Sequence, residues 1–172
     1  MGGAEARQAR RVAAGELYGL PLEEFTRARD ALARRLREDG DRAAADAVRA
    51  LPKPTVAAWA VNQLARRHLD DVAALLDAGA ALRTAHERLL AGERDAGLDE
   101  AAAAERAAIV RLVGHARALG ASAQTLERVA QTLHAAAGSE EVRDALAAGT
   151  LAREQAPSPL AGLGLGDGGA AA

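Results

Sequence analysis

The chain has 172 residues, of which 49% are hydrophobic but only 2% aromatic, with no cysteine and a formal net charge of −2. Disulfides, iron–sulfur clusters and thiolate zinc sites are therefore excluded, as is nucleic-acid binding driven by overall positive charge. About a quarter of the residues are Ala, which buries one methyl worth roughly 0.8 kcal/mol, so the core must rest on Leu, Val and close helix approach.

Such a thin core gains from a partner or from a second copy of the chain. The charge is uneven: residues 1–68 carry a net of +4 and residues 69–172 a net of −6. No stretch reaches the ~18 apolar residues of a membrane span, and MGGAEARQARRVAAG lacks the apolar region of a secretory signal. A cytoplasmic protein with no membrane partner is expected.

The periodicity is helical almost throughout, which predicts an all-α fold. Residues 1–15 are polar and Ala-rich and read as a frayed N-terminal segment. GELYGLP is a turn whose Leu17 and Tyr18 can staple onto the next helix. PLEEFTRARDALARRLRE, residues 21–38, is that helix, with Pro21 and two glutamates in its first turn. Its apolar stripe is Leu22, Phe25, Ala28, Leu32 and Leu36, and Gly40 ends it. Asp41 caps a shorter helix to Leu51. Pro52 and Pro54 force an extended turn, and Thr55 caps a helix to about His68.

Asp70 or Asp71 opens a long helix to Ala91, as an acidic first turn rather than as a cation site. Its seam reads as heptads, with Val72, Gly79 and His86 at one position and Leu75, Leu82 and Leu89 at the other. GERDAG is a loop. Residues 99–119 form the next helix, with Ile109, Leu112, Val113, Ala116 and Leu119 inward. Ser122 caps residues 123–137, striped by Leu126, Val129 and Leu133. Ser139 caps a last helix that Gly149 closes. The expectation is a compact bundle of about six helices over residues 16–150, followed by a flexible Gly/Ala/Pro-rich tail over 151–172.

The helix in KPTVAAWAVNQLARR poses the main question. Val56, Ala57, Ala58, Ala60, Val61, Leu64 and Ala65 cover a broad apolar arc. The opposite arc holds Asn62, Arg66, Trp59 and Gln63. Two readings stand: a helix buried almost all round, or an exposed recognition face. Trp and Arg anchor interfaces, and Asn, Gln and Arg read base edges. Residues 41–68 have helix-turn-helix proportions. Arg35, Arg37, Arg42, Lys53 and Arg67 form a candidate anion or nucleic-acid patch. Glu23–Arg27 and Asp30–Arg34, by contrast, read as ion pairs on a solvated face.

Other motifs carry less. Gly164 to Gly169 match G-x-G-x-x-G, but no strand precedes them and no helix follows, as a dinucleotide site requires. No two of His68, His86, His115 and His134 stand three to five apart, so none forms a helical metal pair. No convergent acid, base and nucleophile is visible. The expectation is a protein without cofactor, metal or catalytic residues.

At ELYGLPLEEFTRARDALARRL, and again at GDRAAADAVRALPKPTVAAWAVNQLARR, the chain resembles a family of hypothetical proteins from high-GC actinobacteria. The resemblance is good over residues 16–68 and looser on to 150. Members often carry a longer Ala/Glu/Arg-rich helical extension, and many read Leu-Arg-Lys-Pro where this chain has Leu51-Pro52-Lys53-Pro54. The resemblance implies an intracellular helical protein and supplies no activity, cofactor or site residue. The function expected is a non-enzymatic protein–protein interaction module, including self-association. The alternative is a nucleic-acid binder using residues 41–68.

Overall fold

Short polar side chains start the helices where the sequence places them. Asp41 accepts from the Ala44 amide, Thr55 from Ala58, Ser122 from Thr125 and Ser139 from Val142. Each satisfies one of the amide donors that a helix start leaves unpaired. The computed structural model describes residues 2–93 and 97–157. Within them the order is α1 (Gly2–Leu17), α2 (Phe25–Glu38), α3 (Arg42–Arg49), α4 (Val56–Arg67), α5 (Leu69–Leu90), α6 (Leu98–Ala118), α7 (Ala123–Gly138) and α8 (Glu140–Ala147). The described residues are all-helical or irregular, with no strand, and none of their helices is long and apolar enough to cross a membrane.

Among the described residues the helices number eight rather than about six. The N-terminal segment accounts for part of the difference. In place of a frayed segment over residues 1–15, Gly2–Leu17 is helical, because Ala13, Ala14 and Leu17 bury themselves at its C-terminal end. Its first three turns stay largely exposed.

Two apolar clusters organise the molecule. The first joins Leu17, Tyr18, Phe25, Ala33, Val48 and Leu51. In it α3 packs against both α1 and α2, while α1 and α2 touch each other little. The Tyr18 and Phe25 rings lie 5.5 Å apart, and the Arg29 guanidinium sits 5.8 Å from the Phe25 centroid. The second cluster, larger, draws Val61, Leu64, Leu75, Ile109, Leu112, Val129, Leu133 and Leu146 from α4 to α8. Burial of branched and aromatic side chains at roughly 1.5–3 kcal/mol each drives both.

The α5 seam holds over its first half and then surfaces. Val72, Leu75 and Gly79 are buried, Leu82 and His86 are half-buried, and Leu89 is exposed. At Gly79 α5 lies close against the end of α7. A Cβ there would lie 2.8 Å from the Ala137 carbonyl oxygen and 2.9 Å from its Cα. Only a residue without a side chain fits against that backbone.

The segment after α8 departs from the expected tail. Leu151 is buried in the second cluster, and Ala152 packs on the first. The Thr55 amide donates to the Ala152 carbonyl at 3.1 Å, and the Gln155 amide to Thr132 Oγ1 at 3.1 Å. Residues 151–155 are therefore tied to the bundle despite their tail-like composition. The remainder of that expected tail from 158 on, with the G-x-G-x-x-G match at Gly164–Gly169, lies outside the described residues.

Candidate functional site

The polar arc of α4 faces inward. Asn62 is 0% exposed, and its amide exchanges two hydrogen bonds with the Leu151 backbone, at 2.8 and 2.9 Å. Gln63 is also buried and donates to the Gly19 carbonyl at 3.1 Å. Trp59 is half-buried, and its indole N–H donates to the Leu20 carbonyl at 2.8 Å. Arg66 spreads its guanidinium over the Asn62, Gly149 and Gly15 carbonyls. Burial pushes that guanidinium below the usual arginine value, but an arginine stays charged in a protein.

The arc is thus an internal seam and not an open recognition face. It fastens the turn after α1 on one side and the segment after α8 on the other to the same helix. Gly149 belongs to this arrangement. Its φ of +61° suits glycine, and a Cβ there would collide with the Arg66 guanidinium. All four residues of the predicted face are engaged with backbone carbonyls, which corrects the reading of Asn62 and Gln63 as accessible contacts.

The helix-turn-helix reading of residues 41–68 meets the same obstacle. A recognition helix must lie free in a groove. Ala57, Ala58 and the run from Ala60 to Ala65 are all buried. Side chains elsewhere occupy the connection itself: Tyr18 Oη donates to the Pro52 carbonyl and Arg29 to the Leu51 carbonyl.

Arg35, Arg37, Arg42, Lys53 and Arg67 are all exposed, as expected of a charged patch. The fold distributes them over the α2–α3 corner, the α3–α4 connection and the end of α4. Arg37 is paired with Asp46 at 2.5 Å. Asp30 is held by Arg29 at 2.9 Å rather than by the expected Arg34.

Two further features of the described residues lie on α6 and where α4 meets α5. The first lies on α6. Ala101, Glu105, Ala108, Ile109, Leu112 and Ala116 face inward. The opposite side presents Ala103, Ala107, Val110 and Gly114 in line at helical spacing, all exposed or half-buried, with Val110 at 71%. A Cβ on Gly114 would meet nothing within 4 Å.

The second is a histidine cluster that the local spacing did not reveal. His68 and His115 are far apart in sequence, yet their rings stack at 3.7 Å with 14° between planes. His115 Nε2 lies 3.0 Å from Asp71 Oδ2, and Arg111 Nε donates to Asp71 Oδ1 at 2.9 Å. The bond from Arg111, then that from His115, holds the Asp71 carboxyl below its ordinary value. His68 and Asp71 stand three apart at the start of α5, which is visible in sequence. The approach of His115 depends on α6 folding back along α5. A similar pair, His134 and Glu105 at 3.1 Å, joins α7 to α6.

Comparison with protein-family models, with curated proteins and with solved structures returns no match to the chain.

Proposed function

We propose that the protein is a non-enzymatic helical interaction module that associates with a second copy of itself through the outward face of α6. The observation that carries this reading is Val110, a large apolar residue left 71% exposed in the middle of a stripe of small residues. Ala103, Ala107, Val110 and Gly114 permit close helix–helix approach, as a small-residue seam does.

The charge along α6 favours an antiparallel partner of the same kind. Its first turn carries Asp99 and Glu100, and its last turn carries the exposed Arg117. Two copies running in opposite directions bring each acidic end toward the other's basic end, and a two-fold axis closes the pair. The face from 103 to 114 is only ~16 Å long, so the association is weak and reversible rather than obligate.

Sedimentation velocity over a concentration series tests it. The chain should pass from monomer to dimer, and Val110→Glu should weaken the dimer by about tenfold or more, a change of ~1.4 kcal/mol. A chain that stays monomeric at high concentration, or a Val110→Glu dimer as tight as the parent, refutes the reading.

A further inference from the structure

We propose that His68, Asp71 and His115 form a binding site for a divalent late first-row transition-metal ion, with Zn2+ as its type. The three side chains each offer one ligand atom, and those atoms all lie within 4.8 Å of one another. Two imidazoles and a carboxylate are a ligand set that zinc and its neighbours accept, leaving further positions for water. This inference is independent of the α6 self-association reading.

The fold holds each candidate ligand in place. His68 is both the C-cap of α4 and the N-cap of α5, with φ −130° and ψ 54°. Its amide donates to the Leu64 carbonyl, and its carbonyl accepts from the Val72 amide. Its backbone is therefore fixed on both sides. Asp71 sits in the first turn of α5, and Arg111 occupies its Oδ1, turning Oδ2 toward His115. An outer partner on a ligating carboxylate is the usual way such a ligand is oriented. His115 comes from the last turn of α6.

Access and geometry also fit. All three residues are half-buried, so an ion can enter while keeping bound water. An open cleft of ≈ 350 Å³ lined by Arg67, His68, Leu69, Asp70 and Asp71 adjoins them. The two ring planes are nearly parallel and 3.7 Å apart, so their nitrogen lone pairs lie in separate planes and a shared ion requires a ring to turn. Binding therefore requires the half-buried rings to rotate until each nitrogen stands at the ~2.0–2.1 Å of a zinc bond. The competing account is a bare hydrogen bond from His115 to Asp71 beneath an imidazole stack, which has no affinity for metal.

The test is calorimetric titration of the chelator-treated full chain with Zn2+, paired with Co2+ absorption spectra. The expected result is one ion per chain, with visible Co2+ bands of nitrogen and oxygen ligation. Outer-sphere partners alone change metal affinity by ~10–100-fold, so removing a ligand should cost about tenfold or more. Asp71→Asn and His115→Gln, which keep side-chain volume, should each show that loss, as should His68→Ala. His86→Ala and His134→Ala should bind as the parent does. Circular dichroism confirms that each variant is folded, and should His68→Ala fail to fold, the two volume-keeping variants decide. No binding up to about 1 mM Zn2+, a concentration that already sets a very weak limit, overturns the proposal. So does binding that survives in Asp71→Asn or in His115→Gln.

Discussion

The Asn62 side-chain amide and the Leu151 backbone exchange a reciprocal pair of hydrogen bonds across 89 positions of sequence. Asn62 Nδ2 donates to the Leu151 carbonyl, and the Leu151 amide donates to Asn62 Oδ1. Both residues are buried, so neither has water as a substitute. Asn62→Ala should strand a buried amide and a buried carbonyl, at about 1–3 kcal/mol for each group. Asn62→Asp should be at least as harmful, because it keeps the acceptor for the Leu151 amide but sets a buried anion against a carbonyl oxygen. Urea unfolding monitored by circular dichroism measures both. A loss under about 0.5 kcal/mol, the scale of a surface change, would mean that the segment after α8 detaches freely.

Gly79 makes a second prediction. In an ordinary helix interior, Gly→Ala adds about 1 kcal/mol of stability. Here the new methyl would press on the Ala137 carbonyl and Cα at under 3.0 Å. The α5–α7 approach must open to admit it, and overpacking of that kind costs roughly 1–3 kcal/mol. Gly79→Ala should therefore lower the melting temperature, and Gly79→Leu should lower it further. A rise in melting temperature for Gly79→Ala would show that α5 and α7 stand farther apart.

Acid stability supplies a third. Glu154 accepts from Thr55 Oγ1 at 2.6 Å and from Arg128 at 2.7 Å. The Thr55 hydrogen bond first, with the Arg128 charge beside it, holds its carboxyl below its ordinary value. A folded-state pKa below the unfolded one gives stabilisation that is fully present above the unfolded value of ~4.3. That stabilisation is lost as pH falls through the folded value. Glu154→Gln should flatten the fall in stability between about pH 5 and pH 3. Asp71, lowered by Arg111 and His115, acts in the same direction and keeps part of the slope. An unchanged acid limb in Glu154→Gln would show that the Thr55 and Arg128 contacts do not persist in solution.

Local features of this fold are written plainly in the sequence. Asp41, Thr55, Ser122 and Ser139 each cap the helix predicted to begin after them, because a cap acts over three residues. Gly40 and Gly149 stand after helices with positive φ, as helix ends favour. The close approach at Gly79 is legible too, as a glycine misplaced in an apolar seam.

The function of the α4 polar arc is not legible, for a definite physical reason. Trp59, Gln63 and Arg66 bond carbonyls of Gly15, Gly19, Leu20 and Gly149. Every residue owns a carbonyl, so such a bond leaves no complementary side chain to find. An inward stapling arc and an outward recognition arc therefore look alike until the chain is folded. His68 and His115 are hidden differently: each is recognisable, but only the α5–α6 hairpin sets them together. The helicity of α1 is masked by its composition, since the anchoring residues Ala13, Ala14 and Leu17 lie only at its C-terminal end.

The Asn62–Leu151 pairing also sets a clock. A ribosome builds the chain from its amino end, so Asn62 emerges without the backbone it is shaped to hold. At about 5–20 residues per second, the 89 intervening positions take roughly 5–20 s to make. Throughout that interval Trp59 and Gln63 can already reach the Leu20 and Gly19 carbonyls, but Asn62 lacks the Leu151 backbone and Arg66 lacks the Gly149 carbonyl. Arrival of Leu151 is what lets the buried Asn62 amide satisfy its hydrogen bonds.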